Sequence, residues 1–227
     1  MSNKGVFITG TDTEIGKTWT TQAVMYALKS RGLSVSGMKP VASGGTEADG
    51  SLKNDDALLI QAQCSTEQPY DWVNPFVFAE PVAPHIAAQN TGINIDITLI
   101  TRAYNNMADR SDFVVVEGVG GWRVPLSDRL STVDMVRALN LPVLLVIGLR
   151  LGCINHALLT AECIRDDGIR LSGLVLNGVD AGYAHPDQTL RTLVRSINAP
   201  LLGFFPHMEA CDIAILAAKL DVTHLLK

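Results

Sequence analysis

Six short apolar runs recur along the chain, at residues 5–9, 34–40, 113–116, 142–147, 171–177 and 201–204. In most of them neighbouring positions are apolar rather than alternating with polar ones, as in Phe113-Val114-Val115-Val116 and Pro142-Val143-Leu144-Leu145-Val146-Ile147, while 34–40 reads as a strand whose end Pro40 marks. Such runs predict strands buried on both faces. Between them lie stretches with helical spacing, at residues 17–31, 85–89, 96–108, 132–138, 155–167 and 185–197, and a closing amphipathic stretch at 211–226. A further helix starts at Asn54-Asp55-Asp56, where Asn54 or Asp55 would cap it. Residues 41–53 read as a polar loop. Residues 69–84, rich in proline and aromatics, read as irregular, and an irregular stretch of that length implies a function or a packing role.

Doubly buried strands alternating with helices imply an α/β fold: a mostly parallel sheet with helices on both faces. Nothing resembles a linker, so residues 1–227 are expected to form a single domain. Ligands of such sheets bind at the carboxyl ends of the strands. The strand-end residues therefore matter: the loop after the first strand, Lys39, Glu117 and Asn177 would share one edge.

The loop after the first strand carries chemistry. Gly10-Thr11-Asp12-Thr13-Glu14-Ile15-Gly16-Lys17-Thr18 fits G-x-x-x-x-G-K-[ST] at every fixed position, between a predicted strand and a predicted helix. That is the phosphate loop of the P-loop NTPase fold. Glycines at 10 and 16 permit backbone closed to other residues and close approach to a ligand. Successive N–H groups then form an anion nest at the positive end of a helix dipole. Lys17 would reach the terminal phosphates of a nucleotide, and the Thr18 hydroxyl would ligate Mg²⁺. Glu117, ending an apolar strand, would be costly there unless it met a metal or a charge. Lys39 could supply a point charge for phosphate or a developing anion.

Composition narrows the partners. The net charge of −5 gives no basic surface for nucleic acid. No apolar run approaches a membrane span, and residues 1–4 run straight into the first strand, so neither membrane insertion nor a secretory signal is expected. The four cysteines show no C-x-x-C pairing and read as reduced thiols of a cytoplasmic protein. No histidine has zinc-ligand spacing.

Five strings, in order over nearly the whole chain, resemble the dethiobiotin synthetase family. They are the phosphate loop just quoted; Lys39-Pro40-Val41-Ala42-Ser43-Gly44; Asn54-Asp55-Asp56-Ala57-Leu58; Glu117-Gly118-Val119-Gly120-Gly121-Trp122; and Leu151-Gly152-Cys153-Ile154-Asn155-His156-Ala157 with the Leu158-Leu159-Thr160 that follows. The resemblance implies a ligase that closes a cyclic urea on 7,8-diaminononanoate, using CO₂ and ATP. One amine captures CO₂ as a carbamate, whose oxygen attacks the γ-phosphate to give a carbamic–phosphoric anhydride. The second amine then closes the ring.

The resemblance also implies residue roles. Lys17 and Lys39 would flank the reacting oxygens as catalytic groups. Glu14, Ile15, Gly16, Lys17, Thr18 and Trp19 would lie along the phosphates. Thr18, Asp56 and Glu117 would hold Mg²⁺, with Asp56 preferred to Asp55 on its spacing from Asn54. Thr13 and Ser43 would hydrogen-bond the substrate or its carbamate, and Gly118, Val119 and Gly120 would place backbone beside substrate and phosphates. Asn177 with Gly178 would read the adenine, next to a wall of Pro206, His207 and Met208. The substrate carboxylate would be held by Gly152, Cys153, Ile154 and Asn155 at a helix start of the second subunit, which makes a homodimer part of the expectation. Trp19 stands where the pattern suggests a smaller residue, and Arg123 reads as a surface or interface residue. Lys17→Ala or Lys39→Ala is expected to fold normally and lose turnover.

Two rivals read less well. ATPase switches of the chromosome-partitioning type resemble K-G-G-x-G-K-T, and the stretch from Thr11 to Ile15 carries no lysine. A glutaminase-coupled amide synthetase would need a second domain, for which this length leaves no room.

Overall fold

In chain order the elements are β1 (Gly5–Gly10), α1 (Lys17–Lys29), β2 (Val35–Met38), β3 (Val41–Ser43), β4 (Thr46–Ala48), β5 (Ser51–Lys53), α2 (Asp55–Ala62), α3 (Tyr70–Val73) and β6 (Phe76–Phe78). Then follow α4 (Pro84–Thr91), α5 (Ile97–Ala108), β7 (Phe113–Glu117), α6 (Thr132–Leu139), β8 (Val143–Gly148), α7 (Cys153–Asp166), β9 (Leu171–Asn177), α8 (Pro186–Ser196), β10 (Leu201–Phe205), α9 (Ile213–Ala218) and a 3-10 turn (Val222–Leu226). The computed structural model describes residues 5–226. The readings that concern residues 1–4 and the domain limits at 1 and 227 lie outside the described residues.

The six apolar runs form one parallel sheet, in the order β10-β9-β8-β1-β7-β2. Strand β1 lies centrally, with Phe7 opposite Val116 on one side and Val143 on the other. Side chains alternate between faces, as the pleat demands. Val6, Ile8, Val115 and Val146 pack under α1 and α9, while Phe7, Val114 and Val116 pack under α5 and α6. At the β8–β9 side, Leu145, Ile147, Leu174 and Leu176 pack with Ala157 and Leu193 of α7 and α8. Each such side chain gains about 1.5–3 kcal/mol by full burial. This explains why the strands needed no alternation. Among the described residues no helix is long and apolar enough to cross a membrane.

Four stretches differ from the sequence reading. Residues 41–53 are not loop. Strand β3 pairs in parallel with β6, Val41 opposite Phe76, and β4 with β5 form a small hairpin. Asp49 and Gly50 turn that hairpin with φ of 51° and 74°, the left-handed pair that suits a tight hairpin. Residues 69–84 correspondingly hold α3 and β6. Helix α7 starts at Cys153, two residues earlier than read, because Gly152 takes the left-handed cap with φ 94°. The closing stretch breaks after α9, where Asp221 N–H donates to Leu202 O at 2.8 Å. Backbone pairing with β10 there competes with helix propagation. Arg123 is exposed and pairs with Asp167 at 3.1 Å, and the indole N–H of Trp122 donates to the same carboxylate at 2.8 Å.

Candidate active site

Strand β1 delivers the phosphate loop to the carboxyl edge of the sheet, beside β8 and β7. Thr11 N–H donates to Val146 O at 3.0 Å, so the loop leaves the sheet along β8. The left-handed Gly16 (φ 88°) then turns the chain into α1. A side chain at Gly16 would drive its Cβ into the amide of Asn177. That amide donates to Ile15 O at 2.9 Å, so the end of β9 supports the loop from below. Within the loop, the Lys17 ammonium donates to Asp12 O at 2.7 Å.

A charge cluster lies beside it. Lys39, following β2, is buried, with its Nζ 2.6 Å from Glu117 Oε1 and 2.9 Å from Asp56 Oδ2. Thr18 Oγ1 donates to Glu117 Oε1 at 2.9 Å. Glu117 is wholly buried, and its Oε2 has no hydrogen-bond partner among the described residues. Burial disfavours the Lys39 charge, but the Glu117 and Asp56 carboxylates outweigh it and hold its pKa above the ordinary lysine value. For Asp56, burial works upward, and the Lys39 ammonium overcomes it and holds the carboxyl below its ordinary value. Among the described residues Lys17 has no carboxylate at hydrogen-bond distance, and burial pushes its pKa down to about 8.

Local structure explains these placements. Lys39 N–H donates to Val73 O and its carbonyl accepts from Asn74 Nδ2, both at 2.7 Å, so α3 clamps the backbone behind the ammonium. Asn54 caps α2, accepting from Ala57 N–H at 3.2 Å, and this cap turns Asp56 toward Lys39 while Asp55 remains exposed. Asn54→Ala is expected to lower stability by about 1 kcal/mol and to weaken nucleotide binding through Asp56. Thermal denaturation and a nucleotide titration check the two effects.

These side chains line a cleft of about 970 Å³. Thr13, Glu14, Gly16, Lys17, Thr18 and Trp19 form one wall, with Lys39, Ser43, Asp56 and Glu117 at its centre. Val119, Gly120, Asn177, Gly178, His207 and Met208 also line the cleft. Ser43 Oγ is buried and has no hydrogen-bond partner among the described residues. Trp19 is half-buried and also packs against the α1 core. Three expected residues lie next to the cleft without lining it. Ile15 is buried beneath the loop, Gly118 is packed on Phe7, and Pro206 is exposed. The structure adds Leu59, Gly121, Val124, Val179 and the stretch 81–84 to the lining. Of these, Gly121 and the proline-rich stretch had signalled themselves in the sequence.

The remaining group, Gly152, Cys153, Ile154 and Asn155, does not reach this cleft. It opens α7 on the outer surface, where Leu151 is 93% exposed, and Ile154 lines a shallow hollow with Tyr183 and Thr189. Among the described residues no group of three or more His, Cys, Asp or Glu gathers to hold a metal. The hard-donor set present is the Thr18 hydroxyl with the Asp56 and Glu117 carboxylates. This suits a cation that shares its shell with phosphate and water.

The chain is similar to known proteins over most of its length. A family model described as an AAA domain matches residues 4–214. Over 214 residues the chain is 47% identical to the ATP-dependent dethiobiotin synthetase BioD of Aromatoleum aromaticum, covering 94% of this chain and 95% of that one. The chain belongs to the dethiobiotin synthetase family. A second family member, the ATP-dependent dethiobiotin synthetase BioD of Pseudomonas aeruginosa, is 46% identical over 220 residues, 96% of each chain. Solved structures show how widely the fold is shared. A ParA family ATPase from Chlorobium tepidum superposes with a TM-score of 0.54 at 13% identity, covering 92% of this chain and 86% of that one. The MinD cell division protein of Aquifex aeolicus gives 0.53 at 14% identity, covering 95% and 86%. At those identities the likeness carries the P-loop NTPase fold and nothing further.

Proposed function

We propose that this chain is an ATP-dependent dethiobiotin synthetase, a cytoplasmic Mg²⁺-dependent homodimer that carboxylates 7,8-diaminononanoate and closes the ureido ring. The observation that carries the reading is the pair of buried ammonium groups, Lys17 and Lys39, in one cleft with Thr18, Asp56 and Glu117. The reaction must bring a carbamate oxygen to a γ-phosphate, and both are anions. At about 4 Å their repulsion is about 1 kcal/mol in water and several times larger in a drier site. Two fixed cations between them remove that barrier without reorganisation.

One amine adds to CO₂ and loses a proton, giving the carbamate. A carbamate oxygen attacks the γ-phosphorus and ADP leaves with the bridging electron pair. The second amine attacks the carbamoyl carbon, inorganic phosphate leaves with the C–O pair, and the nitrogen gives up a proton as the ring closes. Lys17 neutralises charge on the phosphates and Lys39 on the carbamate and leaving phosphate. Ser43 Oγ and Thr13, both at the cleft, donate to the carbamate.

The unpartnered Glu117 Oε2 and the Thr18 hydroxyl beside it fit a divalent cation, with Asp56 as the third donor. Bound there, Mg²⁺ would supply charge neutralisation on the nucleotide phosphates. Asn177, Gly178, Pro206, His207 and Met208 would hold the adenine. The α7 turn would take the substrate carboxylate of the partner subunit, since the first turn of a helix offers N–H groups without intrahelical partners.

Binding should also move a proton. Because burial lowers the Lys17 pKa to about 8, part of the population is neutral at pH 8–9, and an incoming polyphosphate favours the charged form. Nucleotide binding in that range is expected to take up a fraction of a proton, and Lys17→Arg should abolish the uptake. Calorimetry in buffers of different ionisation enthalpy measures it.

The test of the function is phosphate release from Mg·ATP with 7,8-diaminononanoate and bicarbonate, together and singly. The reading requires release only with both, and labelled carbon in a cyclic urea. Release independent of the diamine would place the chain with the ATPase switches whose fold it shares.

A further inference from the structure

Asp12 is an oddity in a loop that is to receive polyphosphate: it is a carboxylate two residues after Gly10. The structure accounts for both of its oxygens. Oδ1 accepts from Thr13 N–H at 2.8 Å, and Oδ2 forms an ion pair with the guanidinium of Arg150. Its backbone carbonyl accepts from the Lys17 ammonium at 2.7 Å. Arg150 comes from the turn between β8 and α7, and its own carbonyl accepts from Cys153 N–H at 3.0 Å. The Arg150 side chain therefore ties that turn to the phosphate loop, one bond away from Lys17.

We propose that Arg150 is a positioning residue for nucleotide binding: by pairing with Asp12 it cancels that carboxylate's negative charge and holds the carbonyl on which Lys17 rests. The inference rests on the ATP reading above. Both partners are about half exposed, 44% and 46%, so the pair contributes little to global stability. Its value lies in what its absence would leave, an unpaired carboxylate beside incoming phosphates. Arg150 acts through Asp12 and does not itself line the cleft.

The test is a double-mutant cycle read in ATP kinetics and Mg·ADP binding. Arg150→Ala should raise KM for ATP and the Mg·ADP dissociation constant about three- to tenfold, the scale of one partly screened unit charge, with kcat changed less than about twofold. Adding Asp12→Asn removes the orphaned charge and should return KM most of the way toward wild type. Arg150→Lys should recover part of the loss, since a point charge replaces the fork. The melting temperature of each variant should stay near wild type, which separates positioning from unfolding. If Arg150→Ala folds poorly, the cycle is read from Arg150→Lys and the Asp12→Asn combination. Wild-type Mg·ADP binding with no effect of Arg150→Ala would overturn the inference alone, as would a loss that Asp12→Asn fails to relieve. Absence of Mg·ADP binding by the wild-type chain would overturn the ATP reading and this inference with it.

Discussion

Lys39→Ala is expected to reduce turnover by on the order of 10³ and to cost about 3–5 kcal/mol of stability as well. The catalytic part follows from removing a fixed cation where charge develops. The stability part follows from burial. Lys39 is 5% exposed and Glu117 0%, and the ammonium is the carboxylate's cationic partner at 2.6 Å. Without it, Glu117 is left as an uncompensated charge within the sheet. Read from sequence, this variant would fold as wild type, and the buried pair reverses that expectation. Adding Glu117→Gln should restore much of the stability and none of the turnover. Urea denaturation and phosphate release measure the two effects. Wild-type turnover in the single variant would remove Lys39 from the mechanism. The sign with pH follows from the raised Lys39 pKa: the pair's contribution is complete below the ordinary lysine value of 10.5 and is lost only as pH rises through the higher folded value.

Lys17→Ala should show the opposite dissociation of activity and stability. Turnover again falls by on the order of 10³, because this ammonium is to meet the transferred phosphoryl group. Stability holds or rises. Lys17 rests on a backbone carbonyl rather than a carboxylate, and its burial lowers its pKa to about 8. A lysine with a depressed folded pKa opposes folding while charged. Between about pH 8 and 10.5 the unfolded chain binds the extra proton, so this group's contribution to stability rises with pH across that window. Lys17→Ala should remove that rise. Melting curves of wild type and variant from pH 7 to 10.5 test it. A melting temperature well below wild type at pH 7 would mean the ammonium is better compensated than its single hydrogen bond indicates.

Much of this site was legible because its residues sit where local sequence rules apply. Gly16, Lys17 and Thr18 belong to a contiguous motif, Asn54 is a helix cap, and Lys39, Glu117 and Asn177 each end an apolar strand. Other features had no local signal. Leu59 and Val124 line the cleft only because α2 and the segment after β7 happen to face it. The Asp49-Gly50 turn was a readable hairpin signal hidden in a stretch whose polarity suggested loop, since β4 and β5 are exposed or half-exposed and carry no apolar run.

The six sheet strands, their parallel burial, the phosphate loop and the edge at which the chemistry gathers are all readable along the chain. Doubly buried strands and a backbone-built anion site are written in contiguous residues. Which charges meet is set by folding. Lys39 pairs with Glu117 across 78 positions and Arg150 with Asp12 across 138, contacts set by the strand order β8-β1-β7-β2 rather than by spacing in the chain. Burial then separated two lysines that look alike in sequence: one is held charged by two carboxylates, and the other is left near its titration point.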